Sequence, residues 1–260
     1  MGISSILFLL CIVTAVYFFS KRILFIKRNI LLGKNISISD QASERLKTMI
    51  KVALGQSKMM VRPVAGFMHI LIYLGFIIIN IEILEIILDG IFGTHRLFAP
   101  LLGTLYFYLI NFFEVLALGV IVACVIFLAR RNIVKIKRFW SKEMTSWPRS
   151  DANIILVVEI LLMSAFLTMN AADSNLMNSS LSDLEAAGLS KYAIAEMQGN
   201  SFWVSRLISP LLPESITSLA FIERFTWWFH ILGILAFLCY VPYSKHFHIF
   251  LAFPAVYYSN

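Results

Sequence analysis

Five stretches of this chain are too long and too apolar for the core of a water-soluble domain. They run over Ile3–Ser20, Val64–Leu88, Leu101–Ala129, Ile154–Asn170 and Phe221–Tyr243. An apolar run of about 18 residues or more with few charges crosses a bilayer as a helix, because a helix alone satisfies its own backbone where water is absent. The composition agrees: 59% of residues are hydrophobic and only 14% charged. The expected fold is therefore all-α, a polytopic membrane bundle of five transmembrane helices. The first run has no basic residues before it and several after it, which marks a retained anchor rather than a cleaved signal.

The basic residues predict the orientation. Most lie between Lys21 and Arg62 and between Arg130 and Arg149, whereas the connection around Gly93 has only Arg96 and residues 173–220 only Lys191 and Arg206. Positive-inside bias then places the N-terminus outside and the C-terminus in the cytoplasm. The net charge of +7 becomes a signature of topology and lipid headgroups, not of nucleic acid. No Gly-rich phosphate loop and no internal repeat occurs. Cys11, Cys124 and Cys239 sit apart within apolar runs, so they form neither an iron–sulfur nor a zinc motif. C-x-x-C-H is also absent, so any haem is held without thioether bonds.

Three of the five histidines, His230, His246 and His248, mark the two ends of WWFHILGILAFLCYVPYSKHFH (227–248). On one continuous helix, positions 230 and 248 are five turns and about 27 Å apart on a single face, while 246 points about 160° away from 230. That spacing offers one imidazole to each membrane surface and makes His246 the odd one out, although Pro242 is able to kink such a helix. A haem iron with two axial imidazoles needs a second histidine at equal depth. His69, at the start of the second run, matches the depth of His248, and Tyr73, Phe76, Asn80 and Ile87 share its helical face. Gly66 and Gly233 leave room for a flat ring beside the backbone. His230 has no counterpart within the second run; His95, in DGIFGTHRLF, is the remaining candidate.

Glu82, Glu85 and Asp89 lie in the second run, with Glu114 and Glu159 as single acids in the third and fourth. Carboxyls in a membrane are costly unless they face protein or water, so the 82/85/89 cluster is a candidate proton path, with hydrogen-bonded protonated acids as the simpler reading. Residues 173–220 form a long external connection with short amphipathic helices. Ser182 and Glu185 have capping-box spacing, and Phe202, Trp203, Leu207 and Ile208 are suited to the interface or to a lid.

VRPVAGFMH (61–69), INIEILEIILDGIFGTHR (79–96) and above all YVPYSKHFHIFLAFP (240–254) resemble a five-helix membrane cytochrome b superfamily. Its members include the gamma subunit of respiratory nitrate reductase and the membrane subunit of heterodisulfide reductase. The likeness is greatest to membrane domains that precede heterodisulfide-reductase-like iron–sulfur domains. The resemblance implies two non-covalent b haems, a quinone such as menaquinone as substrate, and a cytoplasmic iron–sulfur partner. It assigns His69 and His248 as inner haem ligands and His230 as the outer one. Where the nitrate-reductase branch has an outer ligand in its second helix, Ile79 stands here, and this leaves His95 as candidate. The chain is expected to be one membrane domain over 1–260, either the N-terminal part of a longer polypeptide or a separate subunit, in a bacterial cytoplasmic membrane. The expected function is electron transfer between the quinone pool and the iron–sulfur module; a haem-free transporter or membrane anchor is the rival.

Overall fold

The computed structural model describes residues 2–34, 40–141, 146–194 and 202–259, without the side chain of Arg138. Among them there are helices and turns but no strand. Five helices are long and apolar enough to cross a membrane: α1 (Ile3–Ile30), α3 (Pro63–Phe92), α5 (Thr104–Asn132), α6 (Ser146–Met177) and α8 (Ile216–Tyr240), the last continued by a turn to Tyr243. Four short helices flank them: α2 (Ala42–Met49), α4 (Ala99–Leu102), α7 (Leu181–Ala186) and α9 (His248–Tyr257). The expected multi-pass all-α architecture is thus observed.

Local chemistry sets the helix ends. Pro63 occupies the first turn of α3, where a missing N–H costs nothing. Gly93 closes that helix in the left-handed conformation, φ 74°, its N–H donating to the Asp89 carbonyl at 2.7 Å. The third span begins at Thr104 rather than Leu101, because Gly103 adopts φ 54°, ψ −132° and separates it from α4.

The bundle is inside out relative to a soluble protein. Leu10, Phe67, Leu84, Val125 and Phe225 are exposed, while Glu82, Asn111, Glu114, Asn170, Asp173 and His230 are buried. This distribution suits hydrocarbon as the solvent and polar contacts as the glue between helices. Helix α6 packs between α5 and α8, α3 lies against α5, and α1 leans on α3 and α8. Phe8, Tyr106, Ile110, Phe113, Phe166 and Ile231 fill the common core. Helix α1 approaches α3 where Gly90 lets the Phe8 ring lie against backbone; a Cβ there would stand 2.3 Å from that ring.

Two expectations about helix faces need correction. The fifth span does not run unbroken to His248. It ends at Tyr240, passes through a turn at Val241–Tyr243, becomes extended at Ser244 (φ −109°, ψ 167°), and a new helix begins at His248. Pro242 lacks the N–H that the next helical bond requires, so the 18-residue register between His230 and His248 does not exist. The spaces beside Gly66 and Gly233 are also not free for a flat ring. A Cβ at Gly66 would stand 2.5 Å from the Met59 carbonyl oxygen, and one at Gly233 would stand 2.6 Å from Leu162 Cδ2.

The long connection after α6 folds differently too. Its short helix α7 is capped by Ser180, whose hydroxyl accepts the Asp183 N–H at 3.2 Å, not by the Ser182–Glu185 pair. Phe202 is 1% exposed and belongs to the core, so the segment turns inward there, while Trp203 and Leu207 remain on the surface. Residues 195–201 of this connection, and Lys142 in the basic connection, lie outside the described residues.

Candidate cofactor site

The ends of the bundle differ. Residues 31–34, 40–62, 133–141 and 241–259 are at the basic end; His95 and the described residues of the connection after α6 are at the opposite, acidic end. At the basic end a cavity of about 470 Å³ opens between α3, α9 and the turn after α2. Its wall is mainly apolar, with Phe76, Leu54 and Phe253 alongside His69, Tyr73 and His248.

Breaking the chain at 241–247 is what builds this site. Helix α9 turns back toward α3 and brings the His248 ring centre 6.3 Å from that of His69, with the planes at 52°. Two imidazoles on opposite sides of one metal, each at about 2.0–2.1 Å, hold their ring centres roughly 6–6.5 Å apart. The Nδ1 of His248 lies 2.9 Å from the Lys245 carbonyl, so Nδ1 carries the hydrogen and Nε2 keeps its lone pair. The Nδ1 of His69 is buried and has no partner. Among the described residues no cluster of three or more His, Cys, Asp or Glu is able to hold a free metal ion. A two-histidine site of this spacing needs a ligand that fills the remaining coordination positions itself.

His246, placed on the far face by helical register, lines the same cavity. Its ring sits 5.8 Å from His248 at 90° and 5.2 Å from Phe237, with Nε2 buried and unpartnered. Burial, then the neighbouring His248, pushes this imidazole down to about 4, so it is neutral at physiological pH. The Tyr73 hydroxyl is likewise buried without a partner. The place of His246 was not legible in the sequence, because it depends on the turn at 241–247, whereas Tyr73 stands on the face of α3 expected beside His69. A second cavity of about 70 Å³ adjoins the first, and Ile72, Phe76 and Glu159 line both.

The candidates at the other end are not assembled as a pair. His230 is fully buried, its Nδ1 donating to the Leu162 carbonyl at 2.9 Å, its Nε2 unpartnered and its ring 6.1 Å from that of Phe166. His95 instead meets Asp173, with Nε2 3.0 Å from Oδ1, and stands edge-on to Tyr192 at 4.6 Å. The structure therefore brings His69 and His248 together and leaves His230 and His95 in separate surroundings.

A buried polar network occupies the acidic end. Arg96 donates through Nε to Asp173 at 2.5 Å, and through its terminal nitrogens to Tyr106 at 3.2 Å and Asn170 at 2.9 Å. Burial alone would lower the Arg96 guanidinium; Asp173, with Tyr106 and Glu85, outweighs it and holds the group above its ordinary value. Two of the three acids proposed as a proton path serve as anchors. Glu85 accepts the Tyr106 hydroxyl at 2.6 Å and the Phe98 N–H at 2.7 Å. Asp89 accepts Thr94 Oγ1 at 2.5 Å and the Arg96 N–H at 2.8 Å. Glu114 holds the inward-turning segment, accepting the N–H groups of Val204 at 2.8 Å and Ser205 at 3.2 Å, the Ser205 hydroxyl, and Asn170 Nδ2 at 3.1 Å. A signal for this network exists in the sequence, since Arg96 and Asp173 are opposite charges at the same end of the bundle, but nothing in one dimension pairs them.

No family model matches the chain, and no solved structure matches it. Among curated proteins, it is 27% identical over 261 residues to the probable iron–sulfur-binding oxidoreductase FadF of Bacillus subtilis (strain 168). That likeness covers 99% of this chain and 33% of the relative, so the chain spans about a third of the length of a protein whose name joins iron–sulfur binding to oxidoreduction.

Proposed function

We propose that this chain is a haem b membrane subunit that carries electrons between the quinone pool and an iron–sulfur oxidoreductase module. The observation that carries this reading is the His69–His248 pair, at the separation of two axial ligands on the wall of an apolar cavity. The residues fit one haem there. His69 and His248 would hold its iron, and the macrocycle would supply the coordination for which the described residues offer no third donor. When bound, the haem supplies a one-electron couple. The protein orients His248 through the Lys245 carbonyl; Phe76, Leu54 and Phe253 would keep water from the bound group, and Tyr73 and His246 would offer it neutral donors. At the other end the His95 Nε2 faces Asp173 and does not pair with His230, whose Nδ1 is held by the Leu162 carbonyl and whose Nε2 is buried without a partner. The proposal here rests on the one haem that the His69–His248 pair would hold.

The iron–sulfur module is inferred from the relative, a longer protein of which this chain matches about a third and whose name joins iron–sulfur binding to oxidoreduction. In this reading the basic end faces the cytoplasm of a bacterial cell, where it meets anionic lipid and the module, and a quinone such as menaquinone exchanges electrons within the bilayer. Dithionite-reduced minus oxidised spectra of the purified protein, with pyridine haemochrome quantitation, test this. One b haem per chain is expected, lost in His69→Ala and in His248→Ala but kept in His246→Ala. Protein produced with ample haem that shows no b-type spectrum would overturn the reading in favour of a haem-free transporter or anchor.

A further inference from the structure

A small chamber at the acidic end has no place in the electron-transfer reading. It lies between α3, α6, α8 and the loop at 94–98, and its volume is about 20 Å³. That is room for one water molecule and no more. Glu82 is 3% exposed, lines this chamber, and its Oε2 has no hydrogen-bond partner.

Every neighbouring acid has donors. On α3, Glu85 has Tyr106 and a backbone N–H, and Asp89 has Thr94 and two backbone N–H groups. From α6, Asp173 has His95 and Arg96. From α8, Glu223 has the Tyr192 hydroxyl at 2.6 Å and Arg224 at 2.5 Å. From α5, Glu114 is saturated by Asn170, Val204 and Ser205. Lys191 lies over the Tyr192 ring, 5.0 Å away, and is exposed.

The charges do not balance if all these acids are ionised. Glu82, Glu85, Asp89, Asp173 and Glu223 line the chamber, and the cations in contact with them are Arg96 and Arg224, with His95 able to add one more. Lys191, which acts at longer range on Glu223, Asp173 and Asp89, brings the cations to four, and five minus four leaves one unmatched negative charge inside a helix bundle built for hydrocarbon. An unmatched carboxylate is strongly disfavoured in such an interior, so a proton must reside in this cluster. A carboxylate that accepts several hydrogen bonds is held ionised, and the acid that accepts fewest takes the proton first.

We infer that Glu82 is a resident proton-holding site, its carboxylic acid donating from Oε2 to a single water enclosed among Asp89, Asp173 and Glu223. Of the three acids in the 82/85/89 cluster, Glu82 alone stores a transferable proton, while Glu85 and Asp89 anchor the 94–98 loop. This site is independent of haem binding.

Infrared spectra of the purified protein, reconstituted in lipid and recorded in H2O and D2O at neutral pH, test the assignment. The Glu82→Gln spectrum subtracted from wild type should isolate one protonated-carboxyl C=O band that shifts down in D2O; Glu185→Gln, on the surface, should leave that band in place. Because Gln mimics a neutral acid, Glu82→Gln should also melt where the wild type does. Should Glu82→Gln not be recovered, Glu82→Asp should move the same band instead of removing it. A difference spectrum showing loss of ionised-carboxylate bands instead, or a wild-type carboxyl spectrum that responds to sodium in place of pH, would overturn the proposal.

Discussion

Replacing Arg96 with Met removes one charge from the densest buried network in the protein while keeping most of the aliphatic stem. Arg96 is 6% exposed and its ion pair with Asp173, itself 1% exposed, closes at 2.5 Å. Deleting one partner of a buried pair costs about 3–5 kcal/mol, because the other charge is left uncompensated. The hydrogen bonds to Tyr106 and Asn170 contribute about 1 kcal/mol each, though such terms overlap within one network. The expected loss is therefore about 4–6 kcal/mol, a large share of the stability of an ordinary domain. Equilibrium unfolding in mixed micelles, followed by far-UV circular dichroism, reads it. Asp173→Asn supplies the second arm. The double variant should cost less than the two singles added, by about 1–3 kcal/mol, because it leaves no unpaired charge in that pair. A loss below about 1 kcal/mol for Arg96→Met, or strict additivity in the cycle, would refute the idea that this ion pair holds the acidic end together.

Two further perturbations follow from the same contacts. Glu114→Ala strips the buried N–H groups of Val204 and Ser205 of their acceptor, at about 1–3 kcal/mol for each group left unsatisfied, and should make residues 202–209 sensitive to limited proteolysis; Glu114→Gln should be milder, and equal resistance of wild type and Glu114→Ala would count against the anchoring role. Gly90→Ala drives a methyl group into the Phe8 ring, which is packed 5.3 Å from Trp227 and 5.9 Å from Trp228, and should cost about 1–3 kcal/mol by pushing α1 off the bundle; an unchanged melting temperature in detergent would show that α1 does not sit as described.

The polar interior shows where reading along the chain succeeds and where it stops. Glu82, Glu85, Asp89 and Glu114 stand out in one dimension because each interrupts an apolar run. Their division of labour does not, since Glu85 and Asp89 are anchors only by virtue of backbone N–H groups in the loop at 94–98, and Glu114 by virtue of a segment 90 residues away. The histidines behave alike. His69 and His248 are recognisable by depth, but the wheel that excluded His246 assumed a helix that Pro242 and the extended Ser244 interrupt. His95 was the remaining partner for His230 by elimination, and Asp173 claims it instead.

The sequence by itself determined the five long helices, the segregation of basic residues to one end, and the presence of ionisable groups within the apolar spans. Those properties are sums over single residues: transfer free energies and charges add along a run whatever its neighbours are. Tertiary structure decided which of those groups meet. The approach of His248 to His69, the Arg96–Asp173 pair and the isolation of Glu82 each depend on the rotation and contact of separate helices. A helix face acquires its meaning only from the face packed against it, and hydropathy does not encode that choice.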